Sequence, residues 1–388
     1  MKKNLIIALI LMLTPFIVAG EVSAASINSN STNKTLKSDL KVTNVVVHGS
    51  VVRGCDMAVN NTITNIGKCS TGGFWVNYYL KTKQTSTNYL IGKRYISGIK
   101  AGASNNQNTL LYIPTDMQLG NHLVMVSADA TQNIVESNET NNNGYSSFIK
   151  VVGPTYTIFD KNVAGDVLKN REINNYIPKT SFAKTIFRLE KSGSVMLKFG
   201  NGNGPKVLIS AGIHGNETEA NIAIMKYLEY IKDKSFNGTL YVIPFDIPID
   251  TAKNTRFYNG KDPNRIANIV GSPGWNIVNF AHKNGINYLL DVHSGGEVSS
   301  KGLLNVNTGT SLSQEVKWVK YIKSVSGCTS RVQPLETGMV RAQAFKYKIN
   351  TITMEVERDN APTLVSAATE FKMIKAAMKF FNFPVPLN

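Results

Sequence analysis

Val207-Leu-Ile-Ser-Ala-Gly-Ile-His214-Gly-Asn-Glu217-Thr-Glu-Ala-Asn-Ile-Ala-Ile-Met-Lys-Tyr-Leu228 decides the fold, because its periodicity changes halfway along. The first half is a short apolar run, the mark of a buried strand. In the second half Ile224, Leu228 and Ile231 fall on one face, the mark of a helix. His214 and Glu217 stand in the corner between the two, three residues apart at the helix start, so their side chains can converge on one point. A histidine and a carboxylate at the carboxyl end of a strand, in an α/β pattern, are two metal ligands in want of a third.

Ile286-Asn-Tyr-Leu-Leu-Asp-Val-His293-Ser-Gly-Gly supplies the third. Its apolar run delivers His293 to the rim of the same sheet, and the glycines let the chain turn away. Two histidines and a glutamate with one position left open is the arrangement of catalytic zinc, with one Zn2+ per chain. The other histidines are isolated: His48 and His122 read as structural or surface residues, and His282 as the end of a helix. Asp291 faces the same side as His293 and either orients that ligand or is an ordinary buried polar residue.

The surrounding pattern is α/β. The sequence predicts a leading hairpin of Thr185–Leu189 and Ser194–Phe199, strands over 206–213, 239–245, 286–292, 302–306 and 350–356, and helices over 217–232, 273–283, 312–324 and 362–381. This alternation gives a mostly parallel, mixed sheet flanked by helices over residues 155–388. Gly153-Pro154 marks its beginning. Upstream, residues 38–152 hold seven short alternating or β-branched runs divided by Gly and Asn, which predicts an all-β Ig-like sandwich.

Two resemblances follow. Asp129-Ala-Thr-Gln-Asn-Ile-Val-Glu136-Ser-Asn-Glu139-Thr-Asn141-Asn142, with Thr62-Ile-Thr-Asn65-Ile-Gly67, resembles the CARDB family over the whole β segment. That resemblance implies an extracellular spacer or adhesive module, a place for a cell-wall polymer to bind. Asp129, Glu136 and Glu139 read as turn caps in preference to a calcium site. The α/β segment resembles the zinc carboxypeptidase superfamily, and more closely its succinylglutamate desuccinylase/aspartoacylase branch. The likeness rests on His214-X-X-Glu217, Asp262-Pro-Asn264-Arg265, the Asp291-Val-His293 strand end and Thr353-Met-Glu355-Val.

The resemblance implies an amide hydrolase. Glu355 takes the position of the family's catalytic glutamate. Glu357, two residues on and pointing the same way, is the alternative. Arg256 would stabilise the oxyanion, and Asn264 and Arg265 would hold a free carboxylate on the substrate. Arg341, in the loop before Glu355, would meet an acidic substrate side chain. The family usually carries a further domain that closes over the pocket, whereas one helix follows Glu355 here. The expectation is an open cleft that admits a chain end, hence a peptide such as that of the cell wall. The alternatives are an N-acyl amino acid substrate and a non-catalytic envelope-binding protein.

Met1-Lys-Lys, the apolar Leu5 to Ala19 and the small residues up to Ala24 read as a signal peptide over 1–24, followed by a polar spacer over 25–37. The expected location is therefore secreted or at the cell surface. The 388 residues carry a formal charge of +16, but the lysines are scattered, without a dense run or an aromatic-interleaved patch. Together with export this argues against nucleic acid and fits an anionic envelope, or solubility alone. Of three cysteines, Cys55 and Cys69 are candidates for a disulfide, and Cys328 for a buried thiol.

Overall fold

The computed structural model describes residues 36–82, 87–200, 202–296, 298–307 and 312–384. The signal peptide and most of the spacer lie outside these residues. No helix among the described residues is long and apolar enough to cross a membrane.

Nine strands build the N-terminal part: β1 (Leu40–His48), β2 (Val51–Val52), β3 (Asp56–Asn65), β4 (Phe74–Thr82), β5 (Asn88–Ile96), β6 (Ser104–Tyr112), β7 (Gly120–Ser127), β8 (Asn143–Tyr145) and β9 (Ile149–Val152). They form two sheets, β1-β3-β6 and β2-β9-β7-β4-β5, with β8 paired to β7. Buried and exposed residues alternate along β3 and β4, so one face of each sheet supplies the core, with Met57, Val59, Ile63, Val76, Tyr78 and Leu80 at its centre. The last predicted run, 145–152, is broken into β8 and β9. Cys55 and Cys69 are not joined. Cys55 instead packs into the hydrophobic cluster of the α/β part, and burial pushes its thiol up to about 12.

The α/β part runs β10 (Thr155–Asp160), α1 (Arg171–Tyr176), α2 (Ser181–Glu190), β11 (Ser194–Gly200), β12 (Lys206–Ala211), α3 (Thr218–Ile231), β13 (Thr239–Ile243), α4 (Pro248–Lys253), α5 (Pro273–Lys283), β14 (Tyr288–Gly295), β15 (Leu303–Val306), α6 (Ser313–Ser326), β16 (Thr329–Val332), α7 (Val340–Lys346), β17 (Asn350–Glu357) and α8 (Thr363–Lys379). The sheet order is β10-β11-β13-β12-β14-β17-β15-β16. Its central four strands, β13 to β17, are parallel, and antiparallel pairs flank them. β13 is buried throughout, as a strand covered on both faces must be.

Alternate residues sort to the two faces. Val207, Ile209, Leu290, Val292, Ile352 and Met354 pack with α2, α3, α6 and α8. Leu208 and Leu289 pack with α5 and α7.

Several elements differ from expectation. The hairpin does not form. Ser181–Glu190 is a helix capped by the Thr180 side chain, with Phe182, Ile186 and Phe187 buried; its β-branched Thr185 and Ile186 imitate a strand only over a short window. β11 pairs instead with β10. β10, α1, α4, β16 and α7 occupy stretches for which no element was expected.

Candidate metal centre

Three elements bring the predicted ligands together. After β12 the chain turns through Gly212, at φ +80°. His214 and Glu217 then form the two ends of one turn, with the Glu217 N–H donating to the His214 carbonyl at 3.2 Å. Gly215 has to be glycine: a Cβ there would sit 2.1 Å from the Asp250 carbonyl carbon, so only a bare backbone lets this turn lie against α4. His293 arrives on β14.

The three side chains are buried, and one ligand atom from each lies within 4.8 Å of the other two. Among the described residues no other group of His, Cys, Asp or Glu is so placed. His214 Nδ1 is 2.7 Å from Glu217 Oε1, and His293 Nδ1 is 2.8 Å from Glu217 Oε2.

The outer nitrogens face carboxylates as well. His214 Nε2 is 2.9 Å from Asp262 Oδ1. His293 Nε2 is 3.1 Å from Asp291 Oδ2, although not aligned as a hydrogen bond. A neutral imidazole that gives its Nε2 proton to an outer carboxylate turns its Nδ1 lone pair inward, which is how metal-ligating histidines are held. Asp262 also accepts from Arg256 Nη2 at 2.9 Å, and Arg256 Nη1 donates to Glu217 Oε1 at 3.1 Å.

The electrostatics agree with the geometry. Burial would raise the pKa of Glu217, but His293 and His214 outweigh it and hold the carboxyl well below its usual range. Burial would lower His293, yet Asp291 and Glu217 pull it well above its ordinary value. Asp262 is likewise held low, against its own burial, by His214 and Arg256. Glu217, Asp262 and Asp291 bring three carboxylates to the two rings against one guanidinium, Arg256, and a divalent cation between the rings would balance that charge. Two imidazoles and one carboxylate are a donor set that fits zinc. This buried triad suggests metal binding.

Glu355 stands in register with His293 on the neighbouring parallel strand, so both side chains leave the sheet on one face. Its carboxylate is part-exposed, with Arg331 Nη2 at 3.6 Å. Glu357 is differently employed: its oxygens accept from the backbone N–H groups of Val298, Asp359 and Asn360. Those bonds outweigh burial and hold its pKa low.

The remaining predicted residues are scattered around this centre. Asn264 is buried, and its side-chain oxygen accepts from the Val340 N–H at 2.8 Å. Arg265 is at the surface, its Nε 3.0 Å from Glu336. Arg341 is not in a loop: it is buried on α7 and donates to Asn307 Oδ1, the Gln333 carbonyl and Gln333 Oε1. That corrects the expectation of an arginine in a loop; Asn307 and Gln333 take its two terminal nitrogens, and its buried Nε has no partner.

Sequence reasoning quoted Asp262 without giving it a role. Its position in Asp262-Pro-Asn264-Arg265 was the available signal. In the sandwich, Asp129 accepts from the N–H groups of Asn133 and Ile134, and Glu136 accepts from the Leu40 N–H and from Asn142 Nδ2. These acids cap turns and tie strands.

Residues 37–146 match the CARDB family model, and residues 203–269 match that of the Succinylglutamate desuccinylase/Aspartoacylase catalytic domain. The second match includes His214 and Glu217 and ends before His293 and Glu355. No curated protein matches the chain. Among solved structures, a succinylglutamate desuccinylase/aspartoacylase from Rhodobacter sphaeroides is 17% identical over 49% of this chain and 60% of its own, at a TM-score of 0.41. An aspartoacylase family protein from Mesorhizobium loti is 17% identical over 50% and 63%, at 0.41. The CARDB domain of a Pyrococcus furiosus protein, in complex with di-metal ions, is 17% identical over 30% and 94%, at 0.24. The chain thus spans about 60% of the length of the first of these. It carries a CARDB domain at 37–146, followed at 203–269 by a segment of the succinylglutamate desuccinylase/aspartoacylase catalytic-domain family.

Proposed function

We propose that the protein is an exported, zinc-dependent amidohydrolase that cleaves an amide bond next to a free carboxylate, at the end of a cell-wall peptide. The observation that carries this reading is the buried His214, Glu217 and His293 set, with Glu355 in register beside it. The catalytic-domain match supports the amidohydrolase type of reaction.

A zinc ion held by the three ligands would polarise the scissile carbonyl and acidify water. Glu355 takes a proton from the attacking water and passes it to the leaving nitrogen. Its part-exposed carboxylate can do this, whereas the oxygens of Glu357 are committed to the backbone. Arg256, fixed by Asp262 and Glu217, offers a cation where negative charge grows on the carbonyl oxygen, a contribution of about 3 kcal/mol for a good donor. Asp262 and Asp291 keep the two imidazoles oriented. Arg265 takes the substrate carboxylate in exchange for Glu336. That exposed pair is worth only about 1 kcal/mol or less, so the exchange is inexpensive. The exposed Arg265 and Arg331 leave the rim open to a chain end. Export rests on the basic and apolar start of the sequence. The β-sandwich serves as spacer or wall-polymer contact.

Purified protein should release the carboxyl-terminal amino acid from peptides or wall fragments, and Glu355→Gln should abolish the release. The family match favours a second reading, an N-acyl amino acid deacylase. Hydrolysis of succinyl- or acetyl-amino acids with no action on peptides would select it.

A further inference from the structure

We propose that a lysine-lined groove between α3 and α8 binds a linear phosphate polymer. The groove encloses about 840 Å³. It lies on the sheet face away from His293 and Glu355, beside the carboxyl-terminal ends of both helices. α3 begins just after Glu217 and is 14 residues long, so its far end is about 20 Å from the metal centre.

Lys372, Lys375 and Lys379 line the groove at helical spacing along one face of α8, a row about 10 Å long. Among the described residues none of the three has a carboxylate within ion-pair distance, whereas Lys234 across the groove is 3.4 Å from Asp233. The only acid of α8, Glu370, is buried. Lys375 is held over the groove, its Nζ 4.6 Å from the centre of the Tyr230 ring and 5.4 Å from that of Phe371.

Cations near the end of a helix are ordinary compensation for its dipole, which accounts for Lys379. That effect fades within the last turn and does not account for Lys372. A separate observation points to a ligand. Tyr227 lines the groove and is fully buried, and its hydroxyl has no hydrogen-bond partner. Burial and Tyr230 push its pKa well up, so it remains a donor in want of an acceptor. A row of ammonium groups suits repeating phosphates. No arginine lines the groove, so it offers point charges, the mode in which lysine binds phosphate.

The inference stands whether or not the metal centre is a hydrolase. Its test is binding of inorganic polyphosphate to the full chain across a salt series, with poly-glutamate in parallel. Wild type should prefer polyphosphate. The triple variant Lys372→Gln/Lys375→Gln/Lys379→Gln should bind about tenfold or more weakly, with a salt slope shallower by about 2. Tyr227→Phe should weaken binding and leave the slope unchanged. Hydrolytic activity should not move in the triple variant. Equal binding by wild type and the triple variant, no polyphosphate binding at all, or equal affinity for poly-glutamate would overturn the proposal.

Discussion

Glu136 in the sandwich and Glu217 in the α/β part are both buried carboxylates with hydrogen-bond donors on each oxygen, yet what stands opposite them differs. Glu136 meets a backbone N–H and an asparagine amide, and Asp129 meets two backbone N–H groups. Such donors can only donate, so each contact is complete once made. Glu217 meets two imidazole nitrogens, and Asp262 and Asp291 stand behind the same two rings. An imidazole nitrogen can exchange its proton for a metal ion, so this cluster can take a ligand where the other cannot. A buried acid therefore marks a site only when the group across from it can change partners.

Substitutions can break this contrast or sharpen it. The largest effect should come from Glu355→Gln, which should lower hydrolysis by about 100-fold or more while leaving bound metal unchanged. Steady-state kinetics and metal content on the same preparation check this. A silent Glu355→Gln beside an inactive Glu357→Gln would reverse the assignment.

Asp262→Ala should weaken metal affinity by about 10–100-fold, read by competition with a chelator, because His214 loses the partner of its Nε2. The sandwich counterpart should behave otherwise. Glu136→Ala leaves the Leu40 N–H and the Asn142 amide unpaired and should cost about 2–3 kcal/mol in urea unfolding, with metal content unaltered. Loss of metal in that variant would erase the distinction between the two regions.

The smallest effect concerns Glu190, a fully buried acid with no cation beside its carboxylate and only the nearby Val195 N–H to favour its charged form. Burial holds its pKa well above the ordinary value, with the Val195 N–H acting against it and Asp246 adding to it. The folded chain then keeps a proton that the unfolded chain releases above about pH 4.5. Stability contributed near pH 4 is lost as the pH rises towards the folded value. Glu190→Gln should match wild type near pH 4 and exceed its melting temperature by about 2 °C or more at pH 8.

The convergence of His214, Glu217 and His293 was legible because each is tied to a local signal. His214 and Glu217 sit at a change of period, and His293 ends an apolar run, so knowing the strand ends nearly places the side chains. Asp262 lies 48 residues from the ring it orients, and no periodicity reports a contact at that range. The choice between Glu355 and Glu357 was likewise hidden. Alternation puts both on one face, and only the loop folding back over β17 shows which carboxylate is occupied. Arg341 was placed in a loop because an arginine in a polar stretch suggests exposure, whereas Asn307 and Gln333 pair part of its guanidinium inside the fold. Thr185-Ile186 carries strand propensity, and the Thr180 cap and the apolar face of α2 override it.

The account rests on one ion held by residues from two distant strand ends, and metal analysis of the purified chain after zinc loading and dialysis tests it directly. Wild type should retain about one zinc per chain, and His214→Ala and His293→Ala should each lose it while remaining folded by circular dichroism. A wild-type chain that retains no zinc, or variants that keep their full share, would contradict it.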